Sequence, residues 1–269
     1  MWGVTISFMD YHPIKGLSGS QWVGLKHFAA LFRAPDFWEV FRNTVLISLY
    51  KIIFGFPAPI ALALLLNELG GRYFKRFVQT VAYLPHFLSW VIFGGILVLI
   101  LSPSSGIVNH VIKSLGGKPI FFLANQKWFV FVLVVSAIWK TAGWGTIIYL
   151  AKLSSIDPTL YQSATIDGAN RWHQVRYITL PCLLDLMVVM FILRVGHILD
   201  AGFQQILILY NPAVYDVADV FDTFVYRVGL TQLQYSFATA VGLFKSIIGL
   251  GLVLMTNKFA RSFGELGIW

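Results

Sequence analysis

Charged side chains are scarce in this sequence: Asp, Glu, Lys and Arg make up 12% of its 269 residues, roughly half of what an ordinary soluble domain carries. Hydrophobic residues make up 57%, and the mean hydropathy is +0.73. A soluble fold of this length exposes too much of its surface to hide so many apolar side chains. The composition therefore excludes an ordinary soluble globular protein and indicates a membrane protein.

Cysteine is almost absent: Cys182 stands alone, so no internal disulfide can form. The histidines are scattered, and none has a metal-ligand spacing with that thiol. The sequence contains no Gly-x-x-x-x-Gly-Lys-Ser/Thr run to cradle nucleotide phosphates. It has no Ser/His/Asp or Cys/His arrangement with a catalytic signature either. These absences predict a chain with no metal, no cofactor and no catalysis of its own.

Five apolar stretches are long enough to cross a bilayer, which takes about 20 residues. Hydrocarbon offers no partner to backbone N–H and C=O groups, so each stretch predicts a helix. The predicted fold class is all-α: a polytopic bundle of tilted and kinked membrane helices. Met1–Phe8 is apolar but far too short to span. The predicted spans are Val40–Leu66, Phe77–Leu101, Trp128–Ala151, Leu180–Leu199 and Phe237–Thr256.

The net charge is +8, which on a soluble protein would suggest nucleic acid. In a membrane protein, basic residues collect at lipid headgroups and cytoplasmic loops, so no nucleic-acid partner is expected. The two sides of the predicted bundle carry similar numbers of Lys and Arg. Only the short connection Asn67–Arg76, with its compact basic cluster of Arg72, Lys75 and Arg76, leans clearly towards the cytoplasm.

The polar connection at residues 152–179 predicts two short amphipathic helices separated by a turn. Asp157 can cap the first helix, with Pro158 at its first position. Gly168 supplies the backbone freedom to reverse the chain. Pro181 is then expected to open the next span. A compact helical pair in a membrane loop offers a surface that a soluble partner protein can bind and displace.

This segment resembles the cytoplasmic signature loop of permeases in binding-protein-dependent ABC importers, whose pattern is Glu-Ala-Ala-x-x-x-Gly followed downstream by Ile-x-Leu-Pro. The resemblance implies a cytoplasmic coupling loop at residues 152–179, whose first helix docks into a groove of an ATPase subunit. Two positions depart from the pattern, Gln for the usual Glu and Ser for the usual first Ala, so a Glu–Arg ion pair with the ATPase is in doubt. The matching positions are Gln162, Ser163, Ala164, Gly168, Ile178, Leu180 and Pro181, with Asp167 and Ala169 flanking the glycine as in sugar importers.

The resemblance covers nearly the whole chain from about Thr5, and it is closest to the oligosaccharide-uptake branch, with its maltose- and alginate-type permeases. It implies one transmembrane domain over residues 1–269, in the bacterial inner membrane, with Met1–Phe8 as the remnant of a first helix. It also implies a heterodimer with a second permease, two ATPase subunits that bind ATP and Mg²⁺, and an extracytoplasmic solute-binding protein. The implied function is import of an oligosaccharide by alternating access.

Several charged residues fall within or beside the predicted spans, where each costs at least about 2.5–3.5 kcal/mol at a helix centre. Such residues usually face a bundle interior or a water path. Aromatic faces suit sugar rings, and spare positive charge suits an acidic saccharide such as a uronate oligomer. The alternative is that the cations pair with Asp185, Asp200 or a partner subunit, or extend to headgroups. The candidates for the translocation path are Trp139, Lys140, Trp144, Arg194 and Lys245.

Two other functions stay open on the sequence. An ion-coupled secondary transporter predicts inverted repeats around a midplane site, and no clear repeat is visible. A membrane-embedded enzyme predicts acidic or histidine clusters at one membrane face, whereas the strongest polar signature here is the loop. The connection Tyr210–Gln234, called the outer connection below, contains Asp216, Asp219 and Asp222. These carboxylates suggest a cation site, but spaced carboxylates are more often a solvated helix face.

Overall fold

The chain is described by a computed structural model over residues 2–262, and these residues are mostly helical. Met1 and residues 263–269 lie outside the described part. Two short strands, β1 (Met9–Asp10) and β2 (Gln21–Trp22), pair antiparallel. The α-helices are α1 Lys26–Arg33, α2 Phe37–Gly55, α3 Pro57–Glu68, α4 Arg72–Phe87, α5 Trp90–Leu101, α6 Ile107–Ser114, α7 Gln126–Ser154, α8 Pro158–Ile166, α9 Arg171–Gln174, α10 Leu180–Gly196, α11 Phe203–Leu209, α12 Tyr215–Ala218, α13 Phe221–Tyr226 and α14 Tyr235–Ser262.

Shorter helical turns complete the architecture. A 3₁₀ helix at Trp2–Phe8 leads into β1, so the expected remnant of a first membrane helix is not α-helical over these residues. A further 3₁₀ turn lies at Pro212–Val214. Two π-helical turns, Val175–Thr179 and Arg227–Thr231, follow α9 and α13 directly.

Among the residues that the structure describes, four helical stretches are long and apolar enough to cross a membrane, and they confirm four of the five predicted spans. The fifth prediction, a single span at Phe77–Leu101, is corrected to a bent pair, α4 and α5, broken at Leu88–Ser89. The helix continues through Pro85 to Phe87 and ends where Leu88 takes an extended conformation, with φ −75° and ψ 139°. The observed stretches are Phe37–Glu68, Gln126–Ser154, Arg171–Gly196 and Tyr235–Lys258.

Most of the apolar surface on these four stretches is left uncovered by the chain itself. Between 17% and 39% of the most apolar window of each one is buried within the molecule. The remaining side chains need hydrocarbon or another chain against them. This pattern is typical of a helix bundle that sits in a membrane.

One compact unit comprises residues 2–50, 90–134 and 196–252. Its outer connection is tied to α2 by buried polar groups. The Asn43 side-chain amide donates to the backbone carbonyls of Asp216 (3.0 Å) and Asp219 (3.3 Å), and the Phe221 N–H donates to the Thr44 hydroxyl (3.0 Å). The core of this unit consists of Leu31, Phe37, Val40, Phe221, Phe224, Val228 and Val241.

The second unit comprises residues 51–89, 135–195 and 253–262, and it holds the predicted coupling loop. Helices α4 and α7 approach closely where Gly143 faces α4. A Cβ added at Gly143 would collide with the backbone carbonyl of Ala82, so only glycine fits this crossing. The core of this unit consists of Ile60, Ala63, Tyr149, Leu153 and Leu183.

Candidate coupling loop and translocation path

The first helix of the loop, α8, begins at the residue that the sequence predicts. The Asp157 carboxylate accepts the backbone N–H of Thr159 (2.9 Å), and Pro158 follows at the first helical position. The same hydrogen bond holds the pKa of Asp157 below its usual value, because it stabilises the charged form. The start of α8 is therefore fixed by both a side-chain cap and a proline.

The end of α8 is a Schellman motif, and it explains the signature glycine. The Ala169 N–H donates to the Ala164 carbonyl (2.8 Å), and the Gly168 N–H donates to the Thr165 carbonyl (3.1 Å). Gly168 has φ +78°, a left-handed conformation that side chains with a Cβ rarely adopt. Glycine is needed here for the backbone turn itself, since a Cβ would meet no neighbour.

The second helix of the loop is not a separate element, which corrects the prediction of two short helices. After an Asn170 side-chain cap on the His173 N–H (2.9 Å), α9 runs through the π-helical turn into α10. The membrane stretch therefore begins at Arg171, and Pro181 lies inside it. Pro181 has no N–H to donate to the preceding turn, and the wider π turn lets the helix continue past it.

Side-chain contacts join the loop to the rest of its unit. The Arg171 guanidinium donates to the Glu68 carboxylate (2.5 Å) at the end of α3, and the Tyr161 hydroxyl lies 3.0 Å from the Thr179 hydroxyl. No local sequence pattern links the partners of the Arg171–Glu68 pair, because they are 103 positions apart.

The outer face of the loop presents apolar side chains and a cleft. Ile166 is 87% exposed, and Trp172 is 70% exposed. Gln162 and Ser163 are exposed on α8, whereas Ala164 and Ala169 are half-buried. A cleft of about 350 Å³ lies between the end of α8 and the next helix, lined by Ala164, Asp167, Gly168, Ala169, His173 and Tyr177 among others.

Lys140, a predicted path residue, is buried and its ammonium group is engaged. Its Nζ donates to the backbone carbonyls of Pro85 (3.1 Å), His86 (3.0 Å) and Leu88. These are carbonyls at the C-terminal end of α4, just before the bend. The side chain therefore completes the hydrogen bonding of a broken helix, where a cation is also favoured by the helix dipole.

Lys245, a second predicted path residue, lies between two carboxylates. Its Nζ contacts Asp222 (2.6 Å) and Asp200. Asp200 also contacts His197 Nδ1 (3.0 Å). Burial alone would raise the pKa of Asp200, but hydrogen bonds from Lys245 and His197 hold it below its usual value.

The carboxylates of the outer connection are not a solvated helix face, which corrects that interpretation. Asp219 is buried and pairs with Arg227 Nη2 (2.6 Å), while Asp216 accepts from Gln126 (3.0 Å). No group of three or more His, Cys, Asp or Glu side chains suited to a metal ion occurs in the part of the chain that the structure describes.

Arg194 differs from the two lysines. Its Nη2 donates to the Lys51 carbonyl across 3.4 Å, and among the side chains that the structure describes no carboxylate pairs with it. A Cβ at Gly55 would lie 3.2 Å from that nitrogen, so the glycine leaves room for the guanidinium. The Arg194 side chain is exposed, so its guanidinium is accessible.

The two predicted path tryptophans are both partly accessible, Trp139 at 47% and Trp144 at 46% exposed. Trp144 stacks on the His86 imidazole, with ring centroids 4.6 Å apart and an interplanar angle of 2°, and Phe87 meets it edge-on at 5.6 Å. His86 was not predicted as a path residue, and only the packing of α4 on α7 brings it to Trp144.

Comparison with known proteins places this geometry in a family. The chain is 46% identical over 269 residues to the polygalacturonan/rhamnogalacturonan transport system permease protein YteP of Bacillus subtilis (strain 168), covering 100% of this chain and 84% of that protein. A crystal structure of a bacterial alginate ABC transporter in complex with alginate pentasaccharide-bound periplasmic protein contains a similar chain: TM-score 0.89, 43% identity, 91% of this chain and 85% of that chain. A crystal structure of a bacterial ABC transporter involved in the import of the acidic polysaccharide alginate gives a TM-score of 0.90 at 42% identity, covering 97% and 88%.

The family match covers most of the sequence. Residues 55–264 match the family described as binding-protein-dependent transport system inner membrane component. The matched range includes the capped helix α8, the glycine turn and the continuous helix after it. The chain therefore belongs to this family, as a non-catalytic, multi-pass permease subunit of an ABC importer in the bacterial inner membrane.

Proposed function

We propose that the chain is one of two different permease subunits in an importer that carries an acidic oligosaccharide across the inner membrane by alternating access. Residues 1–269 form one transmembrane domain in this proposal. A second permease, two ATPase subunits and an extracytoplasmic solute-binding protein complete the complex. ATP and Mg²⁺ bind to the ATPase subunits, because this sequence has no phosphate-cradling loop.

The observation that carries the proposal is the construction of the loop at residues 152–179. Helix α8 is capped at both ends and exposes an apolar side chain at Ile166. The helix after the turn continues without interruption from Arg171 to Gly196. A displacement of α8 would therefore be transmitted into the membrane-spanning region along a continuous helix. The proposed coupling positions are Gln162, Ser163, Ala164, Asp167, Gly168 and Ala169, with Leu180 and Pro181 where the helix enters the bundle.

The coupling role is tested by Gly168→Val in the assembled complex. Valine at φ +78° costs about 1–2 kcal/mol, so the turn after α8 should distort. We expect ATP-driven uptake to be lost while the chain still inserts. Gly168→Asn tolerates the left-handed conformation and should retain uptake, and Gly70→Val in the nearby open turn is the matched control. Wild-type uptake by Gly168→Val, or uptake that follows a proton gradient without the ATPase, would count against the proposal.

The substrate class is supported by the relatives and by Arg194. The similar proteins transport polygalacturonan/rhamnogalacturonan and the acidic polysaccharide alginate. Of the three predicted path cations, Lys140 is engaged by carbonyls and Lys245 by carboxylates, which leaves the Arg194 guanidinium for a substrate carboxylate. Trp139 and Trp144 supply aromatic faces for sugar rings. Lys140 stabilises the end of α4, and Lys245 ties α14 to Asp200 and Asp222.

The substrate class is tested by comparing uptake of a uronate oligomer and a neutral oligomer of equal length. Arg194→Gln removes one charge-assisted hydrogen bond, worth about 1.5–3 kcal/mol, so uronate uptake should fall roughly tenfold or more. Neutral uptake should change little, and Arg194→Lys should retain part of the uronate activity. Lys127→Gln, an exposed cation on α7, is the control. Equal loss for both oligomers, or no loss, would remove the acidic specificity and leave the importer.

A further inference from the structure

We infer that the start of α4 is a binding site for an anionic phospholipid of the cytoplasmic leaflet. The Arg171–Glu68 ion pair places the end of α3 beside the coupling loop, and α4 begins four positions after Glu68. The start of α4 therefore lies on the side of the membrane that the loop occupies. This orientation rests on the proposed coupling function.

The positive charge at this site is uncompensated. Arg72, Lys75 and Arg76 fall within the first two turns of α4, and none of them forms an ion pair with any carboxylate among the described residues. The nearby carboxylate of Glu68 is taken by Arg171. Arg72 and Arg76 are exposed, and Lys75 is half-buried.

The exposed face of α4 carries positive charge near the start of the helix and apolar side chains further along, in the same order as the headgroup and acyl chains of a phospholipid. At 100° per residue, Arg72 and Arg76 stand about 40° apart, and Phe87 and Leu84 stand about 20° and about 80° around the helix from Arg76. Phe87 is 69% exposed and Leu84 is 60% exposed. Leu84 lies about 12 Å and Phe87 about 16.5 Å along the helix from Arg76 at 1.5 Å per residue. A phosphate held by the two guanidinium groups would leave an acyl chain lying against these two apolar side chains.

The charge selects an anionic lipid over other occupants. Arginine binds phosphate oxygens with paired N–H donors, and each basic residue near an anionic membrane surface contributes roughly fivefold to affinity. A zwitterionic headgroup cancels most of that attraction, and free phosphate has nothing to place against the apolar side chains. Tyr73, 87% exposed beside Arg72, suits the interface between headgroup and hydrocarbon.

The test measures lipid retention by native mass spectrometry on the assembled, delipidated complex, with phosphatidylglycerol, phosphatidylcholine or inorganic phosphate added. We expect phosphatidylglycerol to bind at least tenfold more tightly than phosphatidylcholine. Replacement of both arginines, Arg72→Gln with Arg76→Gln, should weaken it about tenfold or more. Lys113→Gln with Lys118→Gln removes equal charge from two exposed positions, one in the last turn of α6 and one just after that helix, and should change nothing. Equal binding of the two lipids, or full retention by the arginine variant, overturns the inference.

A second measurement needs no variant. Photoactivatable phosphatidylglycerol in the wild-type complex should label the segment 72–87 several-fold more than photoactivatable phosphatidylcholine does. Absence of that label, for instance because a partner subunit covers this face, overturns the inference. Uptake is assayed on the same samples. Uptake that does not depend on the lipid would contradict only a role of the lipid in transport. Uptake that no longer depends on ATP would contradict the proposed function instead.

Discussion

The clearest quantitative prediction concerns Lys140→Met. The variant keeps the length of the apolar stem but removes the ammonium group that donates to three carbonyls at the end of α4. Leaving a buried acceptor without a donor costs about 1–3 kcal/mol. Carbonyls at a helix end recover some hydrogen bonding with water, so we take about 1 kcal/mol for each carbonyl. For three carbonyls, the free energy of unfolding should fall by about 3 kcal/mol. This is roughly a 150-fold shift in the equilibrium between folded and unfolded chain.

The assay is equilibrium unfolding of the purified chain in mixed micelles, together with uptake of uronate and neutral oligomers by the complex. Lys127→Met, at an exposed position on the same helix, is the control and should keep wild-type stability. We expect Lys140→Met to lower stability and to reduce the uptake of both oligomers by one common factor. Wild-type stability combined with selective loss of uronate uptake would refute this reasoning and make Lys140 a substrate contact.

Two further predictions follow from the contacts of the second unit. Gly143→Ala should destabilise the crossing of α4 and α7 by about 1–3 kcal/mol, because its Cβ meets the Ala82 carbonyl, whereas Gly95→Ala points into open space; equal melting temperatures would contradict this. Asp157→Ala should speed amide hydrogen exchange in α8, and Asp157→Asn should not. Since the pKa of Asp157 is lowered, its cap is fully present above the usual aspartate range and is lost as pH falls through the lowered value, so wild type and Asp157→Ala should converge only in acid; a constant difference would be contrary to this.

Family membership decides between the functions that the sequence left open. A binding-protein-dependent permease is neither an ion-coupled secondary transporter nor a membrane-embedded enzyme, so both alternatives are wrong. The predictions of an all-α membrane protein and of an importer permease are confirmed.

The start and the end of α8 were predicted correctly, because each depends on residues close together in the sequence. Asp157 and Pro158 fix the start of α8 through the backbone beside them, and Gly168 fixes its end through its own φ angle. The prediction of a separate second helix was wrong, because Pro181 suggested a helix start. The π turn before it, which no residue pattern announces, lets the helix continue through the proline.

The amino-acid sequence by itself determined the membrane setting, the approximate spans and the signature loop, because each depends on composition or on spacings of a few residues. Only the tertiary structure determined which group each charged side chain within the spans contacts. Lys140 meets carbonyls more than 50 positions away, Lys245 meets carboxylates on two other segments, and Arg194 finds no acidic partner among the described side chains. Pairing over such separations follows from how helices pack, and a cation within an apolar stretch looks the same in the sequence whichever partner it meets.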